Sequence, residues 1–241
     1  MSVSRDGFLG GRLHLWQPTR GFRAGSDAVF LAAACPAQAG QSVLDLGCGV
    51  GAAMYCLAAR VDGLHLTGVE RDVDTAALAR RNGAAEVVEA DVLDLPPGLR
   101  RAFDHVICNP PYFRAGAGSA ATDRGREAAL READADSLGK WVSVACRRVA
   151  PKGSVSFIAR AERLADLLSG MRDLGALKIL PLSAAPERQA GRVLVQGRKG
   201  ARAELRLLPA FVTHRTSTSS GDNHSEAAQA ILRDAGALRL S

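Results

Sequence analysis

Four short stretches of this 241-residue chain carry residue types whose order could do chemistry. In the first, the apolar run Val43-Leu44-Asp45-Leu46 ends in Gly47-Cys48-Gly49-Val50-Gly51, and a small, apolar helix-like segment, Ala52 to Ala59, follows. A strand, a glycine turn and a helix in that order place a ligand at the carboxyl edge of a parallel sheet, where bare backbone can approach it closely. In the second, Leu64 to Glu70 reads as a strand whose last residue, Glu70, lies 19 residues beyond Gly51, where a ribose diol is gripped by an acid. In the third, Asp91 follows the strand-like Glu86 to Ala90, where a carboxylate can accept from an adenine amino group. Either acid alone is an ordinary strand-end residue beside a helix cap; three at successive strand ends form a pattern. Arg71 and Val92, next in sequence to these acids, are placed in the same site.

The fourth stretch, Asn109-Pro110-Pro111-Tyr112, follows the strand-like Phe103 to Cys108. As turn chemistry it could simply stop a strand. It also suits an amine whose lone pair is delocalised, as on adenine or a carboxamide. Two acceptors, the Asn109 side-chain oxygen and the Pro110 carbonyl, could hold the two N–H groups and favour pyramidal nitrogen as a bond forms. The paired prolines stiffen the turn and remove competing donors, and Tyr112 offers a flat face for stacking a planar substrate. The nitrogen turns acidic only after it has reacted, so positioning rather than a strong base carries the catalysis. Serine, cysteine or metal chemistry is not indicated, and Cys108 reads as a small buried residue.

The glycine spacing bears on the ligand. A dinucleotide site usually spaces its glycines G-x-G-x-x-G around a pyrophosphate. This turn is one residue tighter, and Asp45 precedes it. S-adenosylmethionine has no phosphate; its methionine end is a zwitterion beside a sulfonium, and a carboxylate at Asp45 favours that positive end, directly or through water. The cofactor contacts assigned on this basis are Asp45, Gly47, Cys48, Gly49, Gly51, Glu70, Arg71, Asp91, Val92 and Asn109.

The elements that must position these residues follow from the pattern. Residues 1–40 read as strand-like pieces and one helix. Strands and helices then alternate, which implies right-handed crossovers and a parallel sheet. Asp72 can cap a helix carrying Ala76, Ala77 and Leu78. Leu138, Trp141, Val142, Ala145 and Val149 share one helical face, and Leu164, Leu167, Leu168, Met171 and Leu174 another; both stripes read as core. Val193 to Gln196 and Ala203 to Leu208 around Gly197-Arg198-Lys199-Gly200 read as a hairpin. The expected fold is a Rossmann-like, doubly wound α/β sheet of seven mostly parallel strands with an antiparallel C-terminal hairpin. Residues 1–40 form a lead-in covering the cofactor site, 41–215 the catalytic domain, and 216–241 a polar linker and short helix.

Composition narrows the partners. The chain is 47% hydrophobic and 23% charged, so it can bury a sizeable core. No apolar run reaches the ~18 residues that span a bilayer, and no apolar segment of signal-peptide type follows the N-terminus, so a soluble, cytoplasmic protein is expected. Five cysteines without a Cys-x-x-Cys pair argue against a disulfide scaffold or a zinc site. His65 and His105 read as tolerated strand histidines. The net charge of +6 is concentrated at two places: residues 1–23 carry +3 and residues 186–215 carry +5. Such basic segments suit a polyanion such as RNA, although an Arg-rich proteome would produce them too.

The Asp45 to Gly51 turn, Glu70, Asp91 and Asn109-Pro110-Pro111-Tyr112, in that order, resemble class I S-adenosylmethionine-dependent methyltransferases acting on amino nitrogen. The upstream stretch Gln17-Pro18-Thr19-Arg20-Gly21-Phe22-Arg23-Ala24-Gly25-Ser26-Asp27-Ala28-Val29-Phe30-Leu31-Ala32 is similar to the lead-in of bacterial transfer-RNA adenine methyltransferases that modify valine tRNA beside the anticodon. The resemblance runs from about Leu9 to Leu208. It implies methylation of adenine's exocyclic nitrogen in tRNA, with the target base splayed out of its loop, and it lays Gly25 to Ala28 over the methionine end of the cofactor. Asp27 is carried over on that ground; N-capping of the following helix would explain it equally well. Protein glutamine methylation, guanine-amine methylation of ribosomal RNA, DNA adenine methylation and a non-enzymatic RNA-binding module are the alternatives. The basic segments, and the lack of a separate N-terminal helical domain, argue against the glutamine reading. One departure is the short connection Asn82-Gly83-Ala84-Ala85, where relatives have several more residues before the third strand. Residues 113–134, with Arg114, Arg124, Arg126 and Arg131, read either as a substrate-gating loop or as plain disorder.

Overall fold

The computed structural model describes residues 1–111, 113–114, 131–132, 137–215 and 223–240. It opens with an antiparallel hairpin of β1 (Val3–Phe8) and β2 (Leu13–Pro18), then α1 (Ser26–Ala34). The alternating core follows: β3 (Ser42–Leu46), α2 (Ala52–Ala58), β4 (His65–Glu70), α3 (Val73–Asn82), β5 (Glu86–Glu89) and β6 (Phe103–Cys108). Two-residue strands β7 (Phe113–Arg114) and β8 (Arg131–Glu132) pair with each other. The second half holds α4 (Ser137–Arg148), β9 (Val149–Arg160), α5 (Leu164–Gly170), β10 (Leu174–Ser183), β11 (Arg192–Lys199), the short β12 (Arg206–Leu207) and β13 (Phe211–Val212), and α6 (Glu226–Asp234).

The central sheet runs β12-β10-β11-β9-β6-β3-β4-β5, with β13 also on β10. Its seven long strands are parallel except β11, which is antiparallel to both β10 and β9. This is the expected doubly wound α/β fold. The chain winds one way from β3 through β4 to β5 and the other way through β6 and β9. The crevice between the ends of β3 and β6 is therefore the topological switch point, where such sheets hold ligands. Val43, Leu44 and Leu46 of β3 are fully buried, as a parallel strand covered on both faces requires. One core joins α1, α2, α3 and α6 to one face of the sheet, and a second joins α4 and α5 to the other.

The antiparallel hairpin exists, but its partners differ from those expected. It is built from β10 and β11, not from Val193 to Gln196 and Ala203 to Leu208. Both edges of β11 are taken, by β10 and β9, so no backbone is left for residues 203–208 to pair with. That stretch instead lays Arg206 and Leu207 parallel to β10, with Leu205 and Leu207 largely exposed. Its alternation of leucine with charge imitated a half-buried strand.

Asp72 caps α3 as expected, accepting from the Thr75 N–H at 2.8 Å. The short connection after Asn82 still delivers β5 into register: Glu89 lies opposite Glu70, and the Ala90 N–H donates to the Glu70 carbonyl at 3.0 Å. Residues 216–222 of the polar linker lie outside the described residues. Beyond them Ser225 caps α6, whose Ala228 and Ile231 are buried in the same core as α1. Among the described residues, no helix is long and apolar enough to cross a membrane.

Candidate active site

The turns after β3 and β6 open into one cavity of about 410 Å³ at the carboxyl edge of the sheet. It is lined by Asp45, Gly47, Cys48, Gly49, Glu70, Arg71, Asp91, Val92, Asn109, Pro110 and Pro111 among the expected residues. Elements far apart in sequence are brought together because parallel strands all end on one edge. Three expected residues are placed elsewhere or lie outside the described residues. Gly51 sits behind the wall, at φ +85° before the first residue of α2. Asp27 lies in the first turn of α1 away from the cavity, with Oδ2 2.9 Å from the Arg192 Nε. Nor is it the helix cap, a position taken by Gly25. Tyr112 and the greater part of 113–134, Arg124 and Arg126 included, are outside the described residues.

The glycine turn is shaped by contact as well as by φ. At Gly47 (φ +66°) a Cβ would stand 2.7 Å from the ring of Trp141, so a side chain there is excluded by packing. At Gly49 (φ +57°) a Cβ would meet nothing within 4 Å, so that face of the turn is bare backbone. The Gly49 N–H donates to Glu70 Oε2 at 3.0 Å, and the Asp72 N–H to Glu70 Oε1 at 2.9 Å. Each carboxylate oxygen keeps acceptor capacity for a ligand hydroxyl. Asp91 Oδ1 accepts from the Leu93 N–H at 2.8 Å, which steadies the turn after β5.

Asp45 is the unusual group. It is only 2% exposed, and its Oδ2 has no hydrogen-bond partner among the described residues. Burial pushes its carboxyl up to about 7, against a donating Met54 backbone N–H, and the nearby Glu70 charge adds to the rise. A buried acceptor left short of a donor beside a cavity calls for one from a ligand. Cys108, behind it, is fully buried and its thiol is pushed well up by burial and then by Asp45, as suits an inert packing residue. Among the described residues no cluster of His, Cys, Asp and Glu could hold a metal ion.

Residues 23–155 match the model of the methyltransferase small domain. The chain belongs to that family. Similar proteins of this methyltransferase family include the tRNA1(Val) (adenine(37)-N6)-methyltransferase of Actinobacillus succinogenes, 30% identical over 166 residues that cover 66% of this chain and 69% of the relative. The protein of the same name from Dickeya chrysanthemi is 27% identical over 222 residues, covering 88% and 87%. Among solved structures, one from Agrobacterium tumefaciens, described as a predicted O-methyltransferase, superposes with a TM-score of 0.71 at 26% identity, covering 88% of this chain and 98% of that one.

Within this methyltransferase the cavity has walls that the sequence pattern did not assign. Gln17, Pro18, Arg20, Gly21 and Phe22 line it, as do Thr75 of α3 and Leu138 and Trp141 of α4. The lead-in stretch pointed to this region, yet the residues that reach the cavity lie mainly before Gly25; of Gly25 to Ala28 only Ala28 does so. Trp141 follows the apolar period of its helix, and nothing in that period separates a cavity wall from core. The basic segment 186–215 is divided by topology. Arg192 lies opposite Arg160, the last residue of β9, at the edge that holds the cavity. Arg198 and Lys199 lie at the other edge, where they donate to the carbonyls of Lys152, Cys146 and Val149.

Proposed function

We propose that this methyltransferase transfers a methyl group from S-adenosylmethionine to the exocyclic amino nitrogen of an adenine in tRNA. The observation that carries the reading is the shared cavity: the glycine turn with Asp45 and the Asn109-Pro110-Pro111 turn face one space, not two surfaces. The residues fit the cofactor. The orphaned Asp45 Oδ2 suits an ammonium group, the bare backbone at Gly49 allows close approach, and Glu70 and Asp91 stand at the two following strand ends. When bound, S-adenosylmethionine supplies an electrophilic methyl group on a sulfonium. Asp45 holds the ammonium end, Glu70 the ribose hydroxyls and Asp91 the adenine amine. The Asn109 side-chain oxygen and the Pro110 carbonyl accept the two N–H groups of the target amine. The turn thereby fixes the nitrogen's orientation, and the rigid prolines limit its drift.

Adenine in tRNA is favoured over other amines by the names of the relatives. The protein is incubated with labelled cofactor and, separately, with bulk tRNA, ribosomal RNA, DNA and a peptide release factor, and the labelled product is digested. Label in N6-methyladenosine from tRNA is expected. Label confined to guanosine, to glutamine or to DNA, or no label in any pool, would overturn the reading.

A further inference from the structure

We propose that Arg20 receives the carboxylate of the cofactor's amino-acid end, opposite Asp45, which receives its ammonium. This rests on the cofactor reading above. A zwitterion entering a partly dry cavity needs a partner for each charge, because an uncompensated charge taken from water is costly. Asp45 answers the positive charge only. Among the described residues the cavity is lined by two cationic side chains, Arg20 and Arg71, and by Met1, which brings an amino group rather than the bidentate fork of a guanidinium. Arg71 follows Glu70 and precedes Asp72, on the side where β4 ends and α3 begins, and it already has an interaction of its own. Arg20 has no hydrogen bond or ion pair among the described residues. Of the other lead-in arginines, Arg12 is paired with Asp234 at 3.1 Å and Arg23 with Asp6, and Arg5 does not line the cavity.

The loop that carries Arg20 is anchored on both sides. Gln17, 2% exposed, accepts from the Ala24 N–H at 2.8 Å and donates to Asp6 at 2.7 Å, closing residues 18–23 into a loop. Arg23 donates to the Pro18 carbonyl at 3.2 Å, across the same loop. The Asn82 carboxamide accepts from the Trp16 N–H at 2.7 Å and donates to the Trp16 and Val50 carbonyls, both at 3.0 Å. The lead-in is thus tied to the glycine turn itself, so Arg20 stands over the cavity on a pre-set backbone. The backbone is thus set before an anion arrives, and only the exposed Arg20 side chain has to be ordered by it.

The test uses the full chain and two ligands, S-adenosylmethionine and its decarboxylated analogue, which keeps the amine, sulfonium and nucleoside but lacks the carboxylate. Dissociation constants are measured by calorimetry for wild type, Arg20→Met and Arg20→Lys, with melting temperatures as a folding control. Wild type should prefer S-adenosylmethionine by about tenfold or more, the range of a charge-assisted hydrogen bond. Arg20→Met should lose that preference by binding S-adenosylmethionine more weakly, with the analogue's affinity unchanged; Arg20→Lys should keep most of it. Equal losses for both ligands, or no loss for either, would overturn the assignment. So would unchanged cofactor binding with weakened tRNA binding, which would make Arg20 a phosphate contact. Wild type that binds neither ligand would overturn the cofactor reading itself and this inference with it.

Discussion

Two acids at opposite edges of the central sheet, Asp104 and Asp45, are treated in opposite ways. At the amino edge, where β3 and β6 begin, Asp104 accepts from the Ser42 N–H at 2.8 Å and from the Ser42 hydroxyl at 2.7 Å. Those bonds hold its carboxyl below the usual range. His105 beside it is hydrogen-bonded to the Ser154 hydroxyl at 2.7 Å and to Gln41 Oε1 at 2.9 Å, and burial lowers its pKa. At the carboxyl edge, Asp45 is buried with an orphaned oxygen and its carboxyl is pushed up to about 7. Similar residues on the same strands thus differ in whether the protein itself satisfies them. A satisfied polar cluster is a joint of the fold; an acid left short of donors in a cavity wall is held ready for a ligand.

Asn109→Ala should have the largest effect. Methyl transfer should fall by at least ~100-fold, because the target amine loses its acceptor and its alignment. The cofactor, measured separately, should still bind. Turnover within tenfold of wild type would end the proposed role of the carboxyl-edge turn.

Asp45→Asn comes next. Its cofactor dissociation constant should rise by about 10- to 100-fold, the loss of a charge-assisted contact. The ligand-free variant should nonetheless melt at a higher temperature. The native Asp45 keeps its proton up to about 7, whereas the unfolded chain releases it near the ordinary carboxylate value of about 3.9. Between those values the unfolded state binds fewer protons, so stability falls as pH rises through the window. Asparagine removes that penalty. Wild-type affinity for the cofactor should strengthen as pH rises through about 7, and this dependence should vanish in the variant. An unchanged pH profile would show that another group titrates with binding.

Asp104→Asn should do the reverse. It should lower stability to denaturant by about 1–3 kcal/mol, since the Ser42 donors lose a charged acceptor, and leave cofactor affinity unchanged. The carboxyl of Asp104 is lowered in the folded state, so its contribution is present above the ordinary carboxylate pKa and is lost as pH falls through the folded value. Weakened cofactor binding in Asp104→Asn would mean that the two edges are coupled.

The sequence revealed those features that depend on local order. The strands, the glycine turn, Asp72 as a cap and the acids at three strand ends follow from periodicity and from the rule that parallel strands place their ligands on one edge. Features that depend on which strands become neighbours were hidden. Val193 to Leu208 reads locally as a hairpin, but β11 is enclosed by β10 and β9, a fact of topology. Trp141 looked like core because a cavity wall and a core obey the same period. Gln17 and Arg20 reach the cavity because Asn82, far along the chain, ties the lead-in to the glycine turn, a contact that local order does not encode. Asp27 is spaced like a contact or a cap; Gly25 takes the cap position, and Asp27 pairs with Arg192.

Topology also sorts the basic residues, and this yields the smallest predicted effect. Arg188 is exposed on the connection from β10 to β11, which crosses the carboxyl edge of the sheet. Arg202 is equally exposed on the chain leaving β11 at the amino edge. Composition treats the two alike. If tRNA lies across the cavity, Arg188→Ala should weaken tRNA binding a few-fold and reduce the slope of log affinity against log salt by about 1. Arg202→Ala should change neither. Equal effects from both variants would mean that the phosphates track net charge rather than the edge that carries Asn109, and the basic segments would then say nothing about where the target base enters.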